Sequence, residues 1–246
     1  MTTIDLNCDL GEHPGESLDE AIMPFLSSCN IACGGHAGNE DSVRASILLA
    51  QQHGVAIGAH PGFPDKVNFG RLVPKISTQE LRTSLTNQVN LVKRECDKLG
   101  ASLHHVKPHG ALYNLAAKEP SISALICEFI AQIDPTLKLY GLADSVTETV
   151  AKGSGVAFIA EGFADRKYES DKSLRSRSKT GAVLSNETDV LQQVEELVLN
   201  ERVFSDQWIA LNVKTICLHS DTQGAVNLAK KIRAHLEKNG IRIAVV

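Results

Sequence analysis

The stretch VAIGAHPG, residues 55–62, decides the fold class. It is a short apolar run with β-branched residues, typical of a buried strand, and it ends on a histidine and a Pro-Gly turn signal. Residues 39–53 before it have the pattern of a helix that begins after an asparagine N-cap. Residues 78–99 after it begin with a capping box, in which Ser77 and Glu80 satisfy free amide groups reciprocally. A strand between two helices is typical of a parallel sheet with helical crossovers.

The same alternation runs along the rest of the chain. Further strand candidates are residues 3–9, 103–107, 138–143, 156–161, 215–219 and 241–246, with residues 208–213 as an additional one. Further helix candidates are residues 121–133, 144–152, 187–199 and 222–239. No linker, low-complexity tract or internal repeat divides the 246 residues. We therefore expect one α/β domain over residues 1–246, with a mainly parallel sheet or barrel.

Composition excludes several classes of protein. The net charge of −4 and the pI near 6.1 leave no basic surface for nucleic acid. No segment is apolar enough for a membrane span, and Asp5, Asp9 and Glu12 near the N-terminus are not expected in a signal peptide. The six cysteines contain no C-x-x-C pair, which indicates reduced thiols. We expect a cytoplasmic protein without nucleic-acid or membrane partners.

Polar and ionisable residues recur at the C-terminal ends of the predicted strands. They are Asp9, Glu12, Asn30, His36, His60, Lys107, His109, Glu161, His219 and Asp221. In a parallel sheet or barrel these ends share one face, which is where such folds hold their active sites. Gly and Pro in CGGHAG (33–38), GAHPG (58–62) and KPHGALY (107–113) would stiffen the loops and let backbone approach a ligand.

We therefore expect one cavity to be lined by the catalytic residues. These are Asp9, His36, His60, Lys107, His109, Glu161 and His219. Each has a structural alternative: Asp9 could only cap a turn, for example, and Lys107 could extend to solvent.

Residues 162–181 are the exception to the strand–helix alternation, because they are charged and lack any period. A structureless run of this length is usually functional or disordered. It starts directly after Glu161 and offers Arg166, Tyr168 and Arg177 to an anionic substrate. We expect this loop to close over the substrate; the alternative is that Arg166 only forms a surface ion pair.

Missing motifs narrow the chemistry. The chain has no phosphate loop, no G-x-G-x-x-G after a strand and no G-x-S-x-G elbow. The remaining carboxylates, histidines and lysine suit general acid–base attack of water on a carbonyl or similar centre. Alternatively, a divalent metal held by Asp9, His36 and His60 activates the water. Spacing cannot separate these hypotheses, because the ligands would come from different strands.

Six ordered motifs resemble those of the LamB/YcsF family. They are DLNCDLGE (5–12), SSCNIACGGHAG (27–38), IGAHPGFPD with FGR (57–71), HVKPHGALYN (105–114), EGFADRKY (161–168) and CLHSDTQGAV (217–226). The chain differs from the usual pattern at Gly35, Asn39, Lys172 and Ser220, whereas the ionisable residues are retained. The resemblance implies a distorted (β/α) barrel of about seven mainly parallel strands, similar to glycoside hydrolase and carbohydrate deacetylase barrels.

The resemblance also implies an activity. It indicates ATP-dependent ring opening of 5-oxoproline (pyroglutamate) to glutamate by a complex with two partner subunits, B and C. ATP would be used by the complex, and the chain alone should show little or no turnover. We assign substrate binding to Asn7, Glu12, Asn30, Arg166, Tyr168, Arg177 and Asp221. Two alternatives stay open: a metal-dependent deacetylase or amidase on the same barrel, and a non-catalytic binding subunit.

Overall fold

A closed barrel of seven parallel strands forms the centre of the molecule. The computed structural model describes residues 2–12 and 17–246. Its strands are β1 (Thr3–Leu10), β2 (Ser28–Ala32), β3 (Ala56–His60), β4 (Leu103–Val106), β5 (Lys138–Leu142), β6 (Phe158–Phe163), β7 (Arg202–Phe204), β8 (Trp208–Ala210), β9 (Thr215–Cys217) and β10 (Arg242–Ile243). Strands β1 to β6 and β9 pair in that order, and β9 pairs back with β1. The prediction of a distorted β/α barrel is confirmed.

The helices lie outside the barrel and cross from one strand to the next. They are α1 (Leu18–Ile22), α2 (Glu40–His53), α3 (Thr78–Leu99), α4 (Gly110–Ala116), α5 (Pro120–Ile133), α6 (Val146–Ser154), α7 (Glu187–Leu199) and α8 (Ala225–Lys238), with a 3₁₀ helix at Met23–Phe25. Helical spacing places Val43 and Ile47 on one face of α2, and Leu85, Val89 and Val92 on one face of α3; all five are fully buried. No helix in the described parts of the chain combines the length and apolarity that a membrane span requires.

The capping box of α3 is present as predicted. Ser77 Oγ accepts from Glu80 N at 3.2 Å, and Glu80 Oε2 accepts from Ser77 N at 2.9 Å. We expect Ser77→Ala to lower the free energy of unfolding by about 1 kcal/mol, because one amide loses its partner. Urea unfolding measures the change, and Thr78→Ala, also exposed at the helix start, should stay within about 0.5 kcal/mol of wild type. Equal effects of the two substitutions would show that the cap is unimportant.

Two strand predictions were wrong in detail. Strand β2 was not predicted, because SCNIA has a single β-branched residue and two polar ones. The predicted strand 241–246 is reduced to β10, which pairs only with Thr3 and Ile4 at the start of β1. The additional strand predicted at 208–213 is β8, which pairs with β7 in an antiparallel ribbon separate from the barrel.

Segment 162–181 follows its prediction more closely. Strand β6 includes the first two residues of the segment, and the rest is aperiodic apart from two isolated bridges, Arg166 with Val183 and Tyr168 with Leu174.

Helix α4 was not predicted, because at seven residues it is too short to show a periodic pattern. All six cysteines are free and buried, which confirms the prediction of reduced thiols.

The inside of the barrel is polar. Thr215 Oγ1 donates to Asp5 Oδ2 at 2.6 Å, and Asn7 Nδ2 donates to Thr215 Oγ1 at 2.7 Å. Asn30 Nδ2 donates to Asn7 Oδ1 at 2.8 Å, and His105 Nε2 lies 2.7 Å from Asn30 Oδ1. All five side chains are fully buried. Because each polar group has a partner, this layer holds the strands in register and supports the strand ends above it.

Candidate active site

A cavity of about 570 Å³ opens at the C-terminal ends of the barrel strands. Of the seven predicted catalytic residues it is lined by Asp9, His60, Lys107, His109 and His219. His36 and Glu161 do not line it, but each contacts a residue that does: His36 stacks on His109, and Glu161 pairs with Lys107. The strand ends therefore bring all seven residues to one region of the molecule.

Lys107 is a fully buried cation surrounded by anions. Its Nζ lies 2.9 Å from Asp9 Oδ1 and 3.0 Å from Glu161 Oε1. The same ammonium lies 3.1 Å from Cys217 Sγ. Burial opposes the charge, but Asp9 and Glu161 raise the pKa of Lys107 well above its ordinary value. Burial likewise opposes ionisation of Asp9, yet His60 and Lys107 hold its pKa well below the ordinary value. The cavity floor thus carries an ammonium beside an ionised carboxylate.

Glu161 lies behind the cavity wall and positions two residues that line the cavity, Lys107 and Tyr113. Its Oε1 also accepts from Asn7 Nδ2 at 2.9 Å, and its Oε2 accepts from the Tyr113 hydroxyl at 2.8 Å. Tyr113 lines the cavity, and burial followed by the Glu161 charge raises its pKa well above the ordinary value. Tyr113 therefore stays a neutral donor.

Glu12, His36, His60 and His109 form a second cluster beside Asp9. One ligand atom from each of these four residues lies within 4.8 Å of the others. His60 Nε2 lies 3.0 Å from His109 Nδ1, and Glu12 Oε1 lies 3.4 Å from the same His109 nitrogen. Imidazole nitrogens and carboxylate oxygens are ligand types that divalent metals accept. This set differs from the predicted Asp9, His36 and His60, since Glu12 stands in place of Asp9 and His109 is added.

His36 is packed against the other histidines. Its ring stacks on His109 with centroids 3.5 Å apart and an interplanar angle of 5°. Its Nε2 lies 3.0 Å from Glu12 Oε1, while its buried Nδ1 has no hydrogen-bond partner among the described residues. Burial and then the proximity of His60 lower the pKa of His36 to about 2, so this ring is neutral. A Cβ at Gly62 would lie 2.9 Å from His36 Nδ1, which explains the glycine there.

His219 and Asp165 form an acid–base pair at the opposite wall. His219 Nδ1 lies 3.0 Å from Asp165 Oδ1, and the Thr222 hydroxyl donates to Asp165 Oδ2. Burial opposes ionisation of Asp165, but His219 lowers the pKa of that carboxyl. An ionised Asp165 directs the Nδ1 proton of His219 and leaves Nε2 as the basic nitrogen. His219 is stacked on Phe163 with ring centroids 5.3 Å apart.

The cavity mouth is framed by two arginines that share one carboxylate. Arg71 Nη2 and Arg177 Nη1 each lie 2.9 Å from Asp221 Oδ2. Arg166 also lines the cavity, but its Nη2 donates to the backbone oxygen of Arg175 at 2.6 Å within the 162–181 loop. Arg166 is 6% exposed and lines the cavity, and its role in substrate binding remains a prediction.

The other predicted substrate-binding residues divide into two groups. Glu12, Arg177 and Asp221 line the cavity. Asn7 and Asn30 lie in the polar interior of the barrel, where they support Glu161 and Asp9 through hydrogen bonds of 2.9 and 2.8 Å. Tyr168 is buried, and its hydroxyl accepts from Phe163 N at 2.8 Å.

The sequence model of the LamB/YcsF family matches residues 4–246. The chain belongs to the LamB/YcsF family. It is 44% identical over 245 residues to the 5-oxoprolinase A subunit of Histophilus somni, and the match covers 99% of this chain and 98% of the relative. The crystal structure of the lactam utilization protein from Thermus thermophilus superposes with a TM-score of 0.92 at 33% identity, over 100% of both chains. A chitinase from Flavobacterium johnsoniae shares the fold alone, with a TM-score of 0.51, 11% identity, and coverage of 99% and 97%.

Three residues of this LamB/YcsF site were not assigned a role from the sequence. Arg71 and Tyr113 stand in the motifs FGR and KPHGALYN, and Asp165 in EGFADRKY. The only sequence feature that could have identified them is a nearby glycine after the end of a strand. Their partners are Asp221, Glu161 and His219, none of which is adjacent to them in the chain.

Proposed function

We propose that this chain is the A subunit of an ATP-dependent 5-oxoprolinase, which carries out the hydrolytic ring opening of 5-oxoproline to L-glutamate with two partner subunits, B and C. The observation that carries the proposal is the ionised Asp9 in a cavity that also presents Lys107 and His219. A base, a cation and a second acid–base group are the parts that water attack on a cyclic amide requires. The similarity to the 5-oxoprolinase A subunit of Histophilus somni supports the choice of substrate. We place the complex in the cytoplasm, in keeping with the free cysteines.

ATP makes the ring opening favourable because an unstrained lactam resists water. Transfer of the terminal phosphoryl group to the lactam oxygen leaves ADP and an electrophilic ring carbon. Water then adds to that carbon and the C–N bond breaks, with both water protons passing to the nitrogen. The product, glutamate phosphorylated on its new carboxylate, releases phosphate to a second water.

The cavity residues divide these tasks. Asp9 accepts one proton from the attacking water and returns it to the ring nitrogen, and His219, oriented by Asp165, carries the second water proton on Nε2 to the same nitrogen. Lys107 stabilises negative charge that develops on the attacked centre. Arg71 and Arg177 at the mouth bind the substrate carboxylate or the phosphoryl group, as paired guanidinium groups do.

A metal-dependent amidase or deacetylase is the second candidate, and the cluster of Glu12 with three histidines favours it. It predicts turnover without ATP. A non-catalytic binding subunit is the third candidate, and it predicts that Glu161→Gln and His60→Asn leave turnover of the complex unchanged. Measuring glutamate formed from 5-oxoproline, with and without ATP and with and without the partner subunits, separates the first two candidates. The same assay on complexes that carry Glu161→Gln or His60→Asn separates the third.

We expect glutamate only when ATP and all three subunits are present. The chain has no phosphate-binding loop motif of its own, so the isolated chain with ATP should form little or none. Rapid ATP-dependent turnover by the isolated chain would contradict the need for partners. Rapid turnover that is independent of ATP would support the amidase instead.

We expect Arg177→Gln to raise KM for 5-oxoproline about tenfold, because one charge-assisted hydrogen bond to the substrate anion is lost. Steady-state kinetics of the reconstituted complex measures the change. Arg202→Gln is the matched control, since Arg202 pairs with Glu196 away from the cavity. An unchanged KM in Arg177→Gln would remove this residue from the anion site.

A further inference from the structure

We propose that Glu12, His60 and His109 bind one divalent transition-metal ion, of the class that includes Zn²⁺, with an open coordination position facing the cavity. The proposed metal site lies in the same cavity but goes beyond the proposed function. It depends on the geometry of these three residues and not on which amide is cleaved.

Backbone carbonyl oxygens hold one ring nitrogen of each proposed histidine ligand. His60 Nδ1 lies 2.7 Å from the backbone oxygen of Lys107, and His109 Nε2 lies 2.9 Å from that of Phe69. A carbonyl oxygen only accepts, so both of these nitrogens carry a proton. The remaining ring nitrogens, His60 Nε2 and His109 Nδ1, face each other and are the ones available to a cation.

Those two nitrogens lie only 3.0 Å apart, in rings that are nearly perpendicular. A pair of ring nitrogens at that distance needs a cation between them, either a shared proton or a metal ion. Backbone carbonyls that fix histidine tautomers in this way are the usual outer shell of a metal site.

The three proposed ligand atoms are spaced closely enough to bind a single ion. Glu12 Oε1 lies 3.4 Å from His109 Nδ1 and 4.0 Å from His60 Nε2. Metal–ligand bonds of about 2.0–2.2 Å in a tetrahedron separate the ligand atoms by roughly 3.3 Å. The two histidine nitrogens and the carboxylate oxygen are therefore already spaced for one ion, and two histidines with a glutamate suit a borderline divalent metal.

His36 supports the site without being a ligand. Its ring is parallel to His109 at a centroid distance of 3.5 Å, so the two lone pairs lie in parallel planes that one ion cannot share. Its Nε2 instead contacts Glu12 Oε1 at 3.0 Å and orients that carboxylate. Glu12, His60 and His109 line the cavity, whereas His36 does not. The open position therefore faces the cavity, as it does in catalytic zinc sites.

A second metal-capable group is a weaker candidate. Asp9, Cys217 and His219 also offer ligand atoms within 4.8 Å of one another. The Lys107 ammonium already lies 2.9 Å from Asp9 and 3.1 Å from Cys217, so a metal ion there would meet an existing positive charge.

The test is direct metal binding by the purified full chain. After chelator treatment, titration with Zn²⁺ followed by elemental analysis should give one ion per chain. Titration with Co²⁺ should give the visible absorption bands of a cobalt ion with a low coordination number and nitrogen and oxygen ligands. Glu12→Gln, His60→Asn and His109→Asn should each weaken Zn²⁺ binding by more than ~100-fold, beyond the range typical of an outer-shell residue. His36→Asn should weaken it by ~10- to 100-fold.

Two control variants test whether a loss of Zn²⁺ binding is specific to the proposed site. His235→Asn removes a histidine paired with Glu195 outside the cavity, and His219→Asn removes the second group; both should bind Zn²⁺ as wild type does. Circular dichroism identifies any variant that fails to fold, in which case the Co²⁺ spectrum of the wild-type chain decides. Absence of stoichiometric metal, or unchanged affinity in the three ligand variants, overturns the site. Either result is independent of whether the complex converts 5-oxoproline.

Discussion

Replacing Lys107 by methionine is expected to lower the free energy of unfolding by about 3–5 kcal/mol. The substitution removes the ammonium that lies 2.9 Å from Asp9 and 3.0 Å from Glu161, and leaves both buried carboxylates without that cation. An uncompensated buried charge costs more than the loss of an exposed pair, because water cannot replace the missing partner. Urea unfolding of the purified chain measures the change.

The matched control is Lys152→Met. Lys152 is an exposed lysine that lies 2.7 Å from Glu148 on α6, and its loss should leave the free energy of unfolding close to that of wild type. The double variant Lys107→Met/Glu161→Gln should recover part of the lost stability, since one of the two unpaired charges is gone. A Lys107→Met chain as stable as the Lys152→Met chain would mean that the buried ion pairs contribute nothing.

The second large effect is expected in catalysis. Asp9→Asn should lower kcat of the reconstituted complex for 5-oxoproline by a factor of ~10²–10⁴, the usual contribution of a positioned general base. The asparagine keeps the size of the side chain and can still bond Asn30, which lies 2.8 Å from Asp9 Oδ1. The Lys107 ammonium retains Glu161 at 3.0 Å. The loss should therefore fall on kcat more than on KM.

Asp206→Asn, in the exposed turn between β7 and β8, is the control and should have wild-type kinetics. Circular dichroism and urea unfolding establish that Asp9→Asn is folded under assay conditions. A folded Asp9→Asn complex with wild-type kcat would remove Asp9 from the reaction and leave His60 or His219 as the base. A loss confined to KM would mean that Asp9 binds substrate without taking its proton.

Local signals in the sequence predicted local structure well. The capping box Ser77-x-x-Glu80 and the asparagine N-cap before α2 place two helix starts at the correct residue. Both signals depend on contacts within four residues, which the surrounding fold does not alter. Strand β2 was missed because its polar residues point into a polar barrel interior, so it lacks the apolar pattern by which a buried strand is identified.

The sequence by itself determined that strands and helices alternate and that ionisable residues stand at the strand ends. From those two facts follow a parallel sheet or barrel and a shared active-site face, and the resemblance to the LamB/YcsF family implied the barrel. That the whole chain is a single domain remains a prediction.

Only the tertiary structure decided which of these residues act on one another. Lys107 meets Asp9 across 98 positions of sequence and Cys217 across 110, and Asp165 meets His219 across 54. Barrel closure between β1 and β9 sets these pairings, and no local pattern encodes them. It also brought Arg166, which is bonded within its own loop, into the same cavity lining as Arg71 and Arg177, which pair with Asp221. The physical reason is that side-chain chemistry is a property of single residues, whereas distance and burial come from strands that are far apart in the chain.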